Sequence, residues 1–438
     1  KQNNMRKIII LVLLLNSISG FCQQSSFNKV YAPFGVNPPN NFITATLATY
    51  GNGWITAAVG NDTIKPNLQS VIFFKIDSVG NFTRIKNFTP NDGYWNIADY
   101  YTLSNTHDSG FIFTMLSDST TENHSDIIMR FNSNLDTLWT KSFFPRSPNK
   151  YILNTVETSD HGFICIGMER VTNSLWDLIL IKTDSIANKI WEKRISIGKR
   201  CFARQITVTP DKGYLIAGIR GSGLSVDSDP FVIKTDSIGN VNWCRIFGNP
   251  LQKDGGIASA ISNYGDYLIA YGYGTYTYPS PNEHIFLGRL NVIKIDSNGY
   301  TILDKIFDTV RLDYSVYKIQ ILPNNDFIVM GSASYSDFQI SSMYISSYLF
   351  RFNANGDSIY RKIYKYSENI WDFNYLYDNV LNPDGSTTAI GYVQADTMHP
   401  YQKIWIVKTD TNLYAPGCSP TNVSENYYTQ KGELQIFP

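Results

Sequence analysis

The sequence predicts an all-β protein, a seven-bladed β-propeller with four antiparallel strands in each blade. Two sequence markers that repeat with one period support this fold class, and no long helical pattern interrupts them. Repeats of roughly 40 to 60 residues that hold four strands each are typical of propeller blades. The chain of 438 residues is long enough for one large repeat-built domain, which we expect at residues 27–415.

The first marker is an apolar strand followed by Lys or Arg, any residue, and then Asp or Asn. Its clearest copies are residues 181–184, 233–236 and 293–296. The closing acid or amide recurs every 52 to 60 residues along the chain. The seven copies end at Asp77, Asn132, Asp184, Asp236, Asp296, Asn353 and Asp410.

The second marker is a turn rich in Pro, Asp, Asn and Gly, followed by an aromatic residue that opens the next strand. Asp or Asn starts such a turn by accepting hydrogen bonds from nearby backbone N–H groups, and Gly then takes the left-handed conformation. The seventh turn, 383–385, lacks the aromatic residue. The other six copies open at Trp54, Phe111, Phe163, Tyr214, Tyr267 and Phe327.

The fourth unit illustrates the four predicted strands. They are residues 203–208, 214–219, 231–235 and 241–247, separated by short polar turns. Alternating β-branched and aromatic residues favour strands in each of these segments.

The last unit predicts how the ring of blades closes. No convincing fourth strand follows its third strand at 404–409, whereas residues 28–35 resemble the fourth strand and turn at 241–248. We therefore expect residues 28–34 to form the outermost strand of the last blade. This arrangement would remove the open seam that an edge strand leaves.

Residues 1–22 are predicted to be a signal peptide, with residues 1–4 lying upstream of the start Met. Basic residues at Arg6 and Lys7 precede the apolar run 8–15, which is too short to span a membrane. We place cleavage before Gln23 and expect a secreted or outer-surface protein. The alternative, lipidation at Cys22, is disfavoured because the bulky Phe21 precedes it.

Residues 207–243 resemble the repeats of secreted Bacteroidetes propeller proteins that end in a type IX secretion sorting domain. The matching phrases are Thr207, Asp211, 213–218 and 233–243. The resemblance implies a propeller fold and the type IX secretion machinery as a partner, but it implies no activity. Residues 434–438 resemble the opening of that sorting domain, so 416–438 is predicted to be a linker and the start of a truncated sorting domain. An ordinary terminal strand is the alternative.

Composition excludes several classes of protein. Lys plus Arg and Asp plus Glu each number 37, and this balance argues against a nucleic-acid partner. Five Cys residues do not make a disulfide scaffold, and we expect Cys165, Cys201 and Cys244 to be free, buried thiols. We expect a monomer without a cofactor.

The candidate binding residues lie where the sequence departs from the repeat. Long, aromatic-rich connections are predicted on one face of the propeller, and aromatic side chains there suit a glycan or protein ligand. The opposite face carries only short turns, and no site is expected on it. The ligand-binding candidates are Trp95, Tyr151, Tyr276, Tyr278, Tyr314 and Trp371.

The histidines suggest no metal site, because metal-binding spacings such as His-x-x-x-His are absent. His107 and His161 are predicted in hairpin turns of the plain face, and the other histidines in loops of separate blades.

The leading functional prediction is a non-catalytic binding module for glycan or protein. The alternatives are a passive structural domain and a polysaccharide-acting hydrolase or lyase. The carboxylates available to such an enzyme are Asp254, Glu283, Asp313, Glu368 and Asp372.

Overall fold

The structure is a computed structural model, and its described part is all-β. No helix within this part could span a membrane. The described residues are 26–31, 45–61, 69–88, 94–97, 102–118, 124–145, 147, 149–221, 228–248, 254–274, 277–280, 283–285, 288–337, 342–366, 373–394, 402–416, 419–420 and 427–428. The predicted signal peptide lies outside them, as do residues 429–438.

The strands follow one another with short turns. The strands up to residue 246 are β1 (Phe27–Tyr31), β2 (Ala45–Tyr50), β3 (Gly53–Asn61), β4 (Gln69–Ile76), β5 (Phe82–Phe88), β6 (Tyr94–Ile97), β7 (Leu103–Asn105), β8 (Phe111–Asp118), β9 (His124–Phe131), β10 (Thr137–Lys141), β11 (Lys150–Glu157), β12 (Phe163–Arg170), β13 (Trp176–Thr183), β14 (Lys189–Ile195), β15 (Cys201–Val208), β16 (Tyr214–Arg220), β17 (Asp229–Thr235) and β18 (Val241–Ile246). The strands after it are β19 (Ile257–Ile261), β20 (Tyr267–Tyr273), β21 (Thr277–Ser280), β22 (Glu283–Ile285), β23 (Gly288–Ile295), β24 (Thr301–Ile321), β25 (Phe327–Asp337), β26 (Ser342–Phe352), β27 (Ser358–Tyr364), β28 (Phe373–Leu381), β29 (Thr387–Gln394), β30 (Gln402–Lys408), β31 (Ser419–Pro420) and β32 (Tyr427–Tyr428).

Four-stranded antiparallel units recur along the chain, as predicted. Strands β11 to β14 and β15 to β18 each form a separate sheet of four in sequence order. The same ladder joins β2 to β5, and β24 to β27, where β24 also ends the preceding unit. In the fourth unit the strands begin and end within two residues of the predicted bounds. Cys165, Cys201 and Cys244 are free and buried, which confirms that prediction.

The N-terminal strand β1 lies beside β30, which is the position predicted for residues 28–34. The two strands are antiparallel, with Phe27 opposite Lys408 and Tyr31 opposite Ile404. The indole Nε1 of Trp405 donates a hydrogen bond of 2.6 Å to Asn28 Oδ1. Residues 32–34 lie outside the described part of the chain.

The first and last units also share a hydrophobic core. Phe27 packs edge-on against Trp54, with ring centroids 6.1 Å apart, in a buried cluster that includes Ile390 and Ile406. Trp54 donates from Nε1 to Asn382 Oδ1 at 3.0 Å. Side chains from strands far apart in sequence therefore meet around β1.

An ion pair links the two sequence markers within a unit. The Lys234 side chain is 2% exposed, and its Nζ donates to Asp211 Oδ2 at 2.8 Å and to the Thr235 carbonyl at 2.6 Å. Lys234 belongs to the first marker and Asp211 to the turn of the second. Equivalent pairs are Arg130 with Asp108, Lys182 with Asp160, Lys294 with Asp266, and Arg351 with Asp326.

The Asp or Asn that ends the first marker stabilises the turn that follows it. Asp236 Oδ1 accepts backbone N–H groups from Ile238 at 3.0 Å and Asn240 at 2.8 Å. Gly239 has a φ of +82°, and a Cβ there would lie 2.8 Å from the Trp191 ring of the preceding unit. The turn thus sets both the local chain reversal and the packing between units.

We expect Phe27→Ala to destabilise the protein by about 3–5 kcal/mol, because it removes a buried ring from the core that β1 shares with the first unit. Urea unfolding of the full chain measures this difference. Tyr264→Ala is the control, since Tyr264 is 76% exposed and its loss should cost no more than about 0.5 kcal/mol. Equal effects of the two substitutions would contradict the role of β1.

The turn carboxylates predict an acid-sensitive stability. Partial burial raises the pKa of Asp160, but hydrogen bonds from Thr158 and Lys182 outweigh it and hold the pKa at about 2, below the ordinary 3.8. Asp108 is held at about 2 in the same way by Thr106 and Arg130. Because these folded-state pKa values are lowered, the carboxylates stabilise the protein above pH 3.8, and this contribution is lost as the pH falls toward 2.

Lys182→Met should therefore lower the melting temperature at neutral pH and flatten its decline between about pH 4 and pH 2. Melting curves across this pH range measure both effects. Lys189→Met is the control, because Lys189 is 51% exposed and its pair with Glu192 lies at the surface. A decline identical to that of the wild type would contradict this origin of the acid sensitivity.

Candidate functional site

The first strands of several units line one cavity of about 290 Å³. Strands β7, β11, β15, β24 and β28 contribute to its wall, so side chains far apart in the sequence face the same space. The polar residues that line the cavity include Ser104, Asn154, Glu157, Gln205, Lys318 and Asp378.

In each of four first strands, a β-bulge precedes the polar residue that lines the cavity. In β11 the pairing with β12 shifts between Ile152 and Asn154, and the same shift occurs once in β15, β24 and β28. A bulge adds one residue to a strand and re-aims the side chains beside it. The residues directly after the four shifts are Asn154, Gln205, Lys318 and Asp378.

Glycine on the second strand accompanies each bulge. A Cβ at Gly391 would lie 1.8 Å from the Tyr375 carbonyl oxygen, and one at Gly218 would lie 2.2 Å from that of Phe202. Only glycine leaves room for the first strand to approach so closely. A glycine that recurs in the second strand of a unit is therefore the sequence signal for a bulge in its first strand.

The buried carboxylate of Asp378 pairs with the partly exposed Lys318 cation in the cavity wall. Asp378 is 1% exposed, and its Oδ1 accepts a hydrogen bond from the Lys318 ammonium. Its Oδ2 accepts from Thr46 Oγ1 at 3.0 Å and from the Leu47 backbone N–H at 2.8 Å. Four donors, counting the Asn379 N–H at 2.8 Å, therefore surround one carboxylate and fix the cation beside it.

Glutamine side chains hold neighbouring first strands together. Gln205 donates from Nε2 to the Ser259 carbonyl at 2.9 Å and accepts from the Ser259 N–H at 3.0 Å. Gln320 donates in the same way to the Asn379 carbonyl at 2.8 Å. These bridges fix the spacing between the strands that form the wall.

Glu157 ends β11 and contacts two histidines from hairpin turns. Its Oε2 accepts the His107 backbone N–H at 2.7 Å, and its Oε1 lies 2.5 Å from His107 Nδ1 and 3.7 Å from His161 Nδ1. The two imidazole centroids are 3.8 Å apart. The sequence predicts no site on this face, yet the fold brings these three side chains together.

The structure describes the side chain of only one predicted aromatic ligand-binding residue. Tyr151 packs edge-on against Trp176, with ring centroids 6.1 Å apart, and burial raises its pKa to about 12. Trp95, Tyr278 and Tyr314 lie in β6, β21 and β24, with their side chains outside the described part. Tyr276 and Trp371 lie wholly outside it. Ligand binding by these six residues stays a prediction.

Among the carboxylates proposed for an enzyme, Asp254 has a described environment. It is 1% exposed and accepts the Gly274 N–H at 2.7 Å, so it holds a loop. Glu283 and Asp313 lie in β22 and β24, with side chains outside the described residues, whereas Glu368 and Asp372 lie wholly outside them.

No family model and no curated protein matches the sequence. Among similar solved structures, a puromycin hydrolase has a TM-score of 0.52 at 9% identity, covering 90% of this chain and 56% of that one. The α-L-arabinofuranosidase Arb93A of Fusarium graminearum has a TM-score of 0.48 at 10% identity, covering 70% and 92%. The polysaccharide lyase Uly1 has a TM-score of 0.49 at 9% identity, covering 87% and 92%. Together with the four-stranded units, the likeness indicates a β-propeller fold.

The prediction of a non-catalytic binding module is wrong on this comparison. The solved structure with the TM-score of 0.52 is a hydrolase, and therefore a catalytic protein.

Asp378→Ala should destabilise the full chain by about 1–3 kcal/mol, because it leaves the buried Thr46 hydroxyl and Leu47 N–H without their acceptor. Urea unfolding measures the change. Glu192→Ala is the control. It removes a carboxylate from the surface pair with Lys189 and should lower the free energy of unfolding by only about 0–1 kcal/mol. A loss of stability at Asp378 as small as that at Glu192 would contradict the role assigned to the buried carboxylate.

Proposed function

We propose that the chain is a polysaccharide-acting enzyme, a hydrolase or a lyase, whose reacting groups line the cavity between the first strands. The observation that carries the proposal is the set of polar side chains that the bulges direct into one wall. They include Lys318 and its buried partner Asp378. Bulges next to active sites commonly re-aim side chains in this way.

The chemistry of the wall suits a carbohydrate. The amides of Asn154 and Gln205 and the hydroxyl of Ser104 can exchange hydrogen bonds with sugar hydroxyls. Asp378 accepts four donors and therefore acts as a positioning residue for Lys318. The Lys318 cation would neutralise a negative charge on the substrate, such as a uronate carboxylate. Polysaccharide is also the substrate class named for the lyase that resembles this chain.

We further propose that the units close into a ring of seven blades over residues 27–415. The pairing of β1 with β30 and the core shared by the first and last units support this closure. The predicted signal peptide at 1–22 and the predicted sorting segment at 416–438 support export by the type IX machinery, and we propose that the exported chain is a monomer. A degradative enzyme of this kind would meet its polymer outside the cell.

Filling the cavity tests the proposal. Thr207 lies half-buried in β15 and lines the cavity, so Thr207→Trp should place an indole where the substrate would bind. We expect the wild-type full chain to cleave at least one polysaccharide in a panel of neutral and uronate-containing polymers. The kcat/KM of Thr207→Trp should be at least 100-fold lower. New chain ends, identified by mass spectrometry, provide the readout.

Thr140→Trp is the matched control, because Thr140 is exposed on β10 and should retain full activity. An unsaturated new end would identify a lyase, and a saturated one a hydrolase. The proposal fails if the wild type cleaves no polymer. It also fails if a folded Thr207→Trp variant, checked by its melting temperature, is fully active.

A further inference from the structure

We propose that His107, Glu157 and His161 form a transition-metal site with Zn²⁺ as the preferred ion. Their ligand atoms all lie within 4.8 Å of one another. Two imidazoles and one carboxylate make a ligand set that proteins use for zinc, with a fourth position open to water. This inference does not depend on the proposed enzymatic function.

Backbone structure brings the three side chains together. His107 lies in the hairpin turn between β7 and β8, and His161 in the turn between β11 and β12. Glu157 accepts the His107 N–H at 2.7 Å and so ties one turn to the end of β11. His161 has a φ of +62°, a left-handed conformation that sets the direction of its side chain.

All three residues depart from the repeat, whereas the residues around them follow it. The residues at the position of Glu157 in other units are Asn105, Val208, Ile261, Ile321 and Leu381. Those at the position of His107 are Ser159, Pro210, Asn263, Pro323 and Pro383. Those at the position of His161 are Ser109, Lys212, Gly265, Asn325 and Gly385. A fold that needs none of these side chains in its other units does not need them here for architecture.

The distances suit coordination after a small adjustment. Ligand atoms around a tetrahedral zinc ion lie about 3.4 Å apart, given metal–ligand bonds of about 2.0–2.1 Å. His161 Nδ1 is 3.7 Å from Glu157 Oε1, which is near this value. His107 Nδ1 is 2.5 Å from the same oxygen, a hydrogen bond that would lengthen by about 1 Å as the metal replaces the bridging proton.

Exposure and charge favour a reactive metal over a purely structural one. The His107 and His161 side chains are 51% and 57% exposed, whereas Glu157 is 11% exposed. Water can therefore reach the fourth position. The neighbouring carboxylates Asp108 and Asp160 are already paired with Arg130 and Lys182, so the ligand set stays rich in nitrogen. Imidazole suits zinc, whereas calcium and magnesium favour oxygen.

The first test is Zn²⁺ binding by the metal-free full chain, measured by calorimetry without any polysaccharide. We expect one high-affinity equivalent for the wild type. The affinity should fall at least tenfold in both His107→Ala and His161→Ala. Co²⁺ absorption then reports the coordination, with the intense visible bands of a tetrahedral site expected in the wild type.

His284→Ala is the matched control, because His284 lies in β22, in another unit, and its loss should leave the affinity unchanged. Melting temperatures without metal check that the exposed turns tolerate each change. The proposal is overturned if the wild type binds no more Zn²⁺ than the His107→Ala and His161→Ala double variant. Because no substrate is present, this result is independent of whether the chain cleaves a polysaccharide.

Discussion

The fold depends on a cation from the third strand that lies beneath the hairpin of the first two strands. In the fourth unit, burying the Lys234 ammonium would be costly if it had no partners. Asp211 and the Thr235 carbonyl satisfy it, and the carboxylate reaches it from the turn that joins β15 to β16. One contact thus ties three strands together and fixes their register. The equivalent pairs in other units explain why the two sequence markers share one period.

A turn built on a carboxylate that pairs with a cation of the third strand leaves its other positions free to vary. His107 and His161 occupy such positions, while Asp108 and Asp160 beside them keep their structural role. The same separation holds in the first strands. The bulge and its glycine are repeated, but the residue after the bulge is Asn, Gln, Lys or Asp. The residues that repeat therefore form the turns and bulges, whereas the residues that differ between units provide the candidate functional groups.

Local signals explain what could be predicted from the sequence. The turn chemistry at Asp236 and the alternation along 214–219 act within a few residues, so they predicted strands and turns to within about two residues. The pairing of β1 with β30 could be predicted because a strand was missing from the last unit. The cavity could not, since it needs the spatial order of several first strands. The contact between His107 and His161 likewise depends on the angle between neighbouring units, which no local pattern encodes.

The pair of Lys318 and Asp378 is costly for a cavity wall whose only task is to be stable. Replacing a buried ion pair by apolar residues is often neutral or stabilising, so its presence is weak evidence for a stabilising role. The equivalent positions after the bulges in β11 and β15 carry the neutral residues Asn154 and Gln205, and both units fold with the same ladder. The charge at Lys318 is thus not required by the bulge. The proposed function accounts for this cation, because a negatively charged sugar that entered the cavity would meet the Lys318 side chain in its wall.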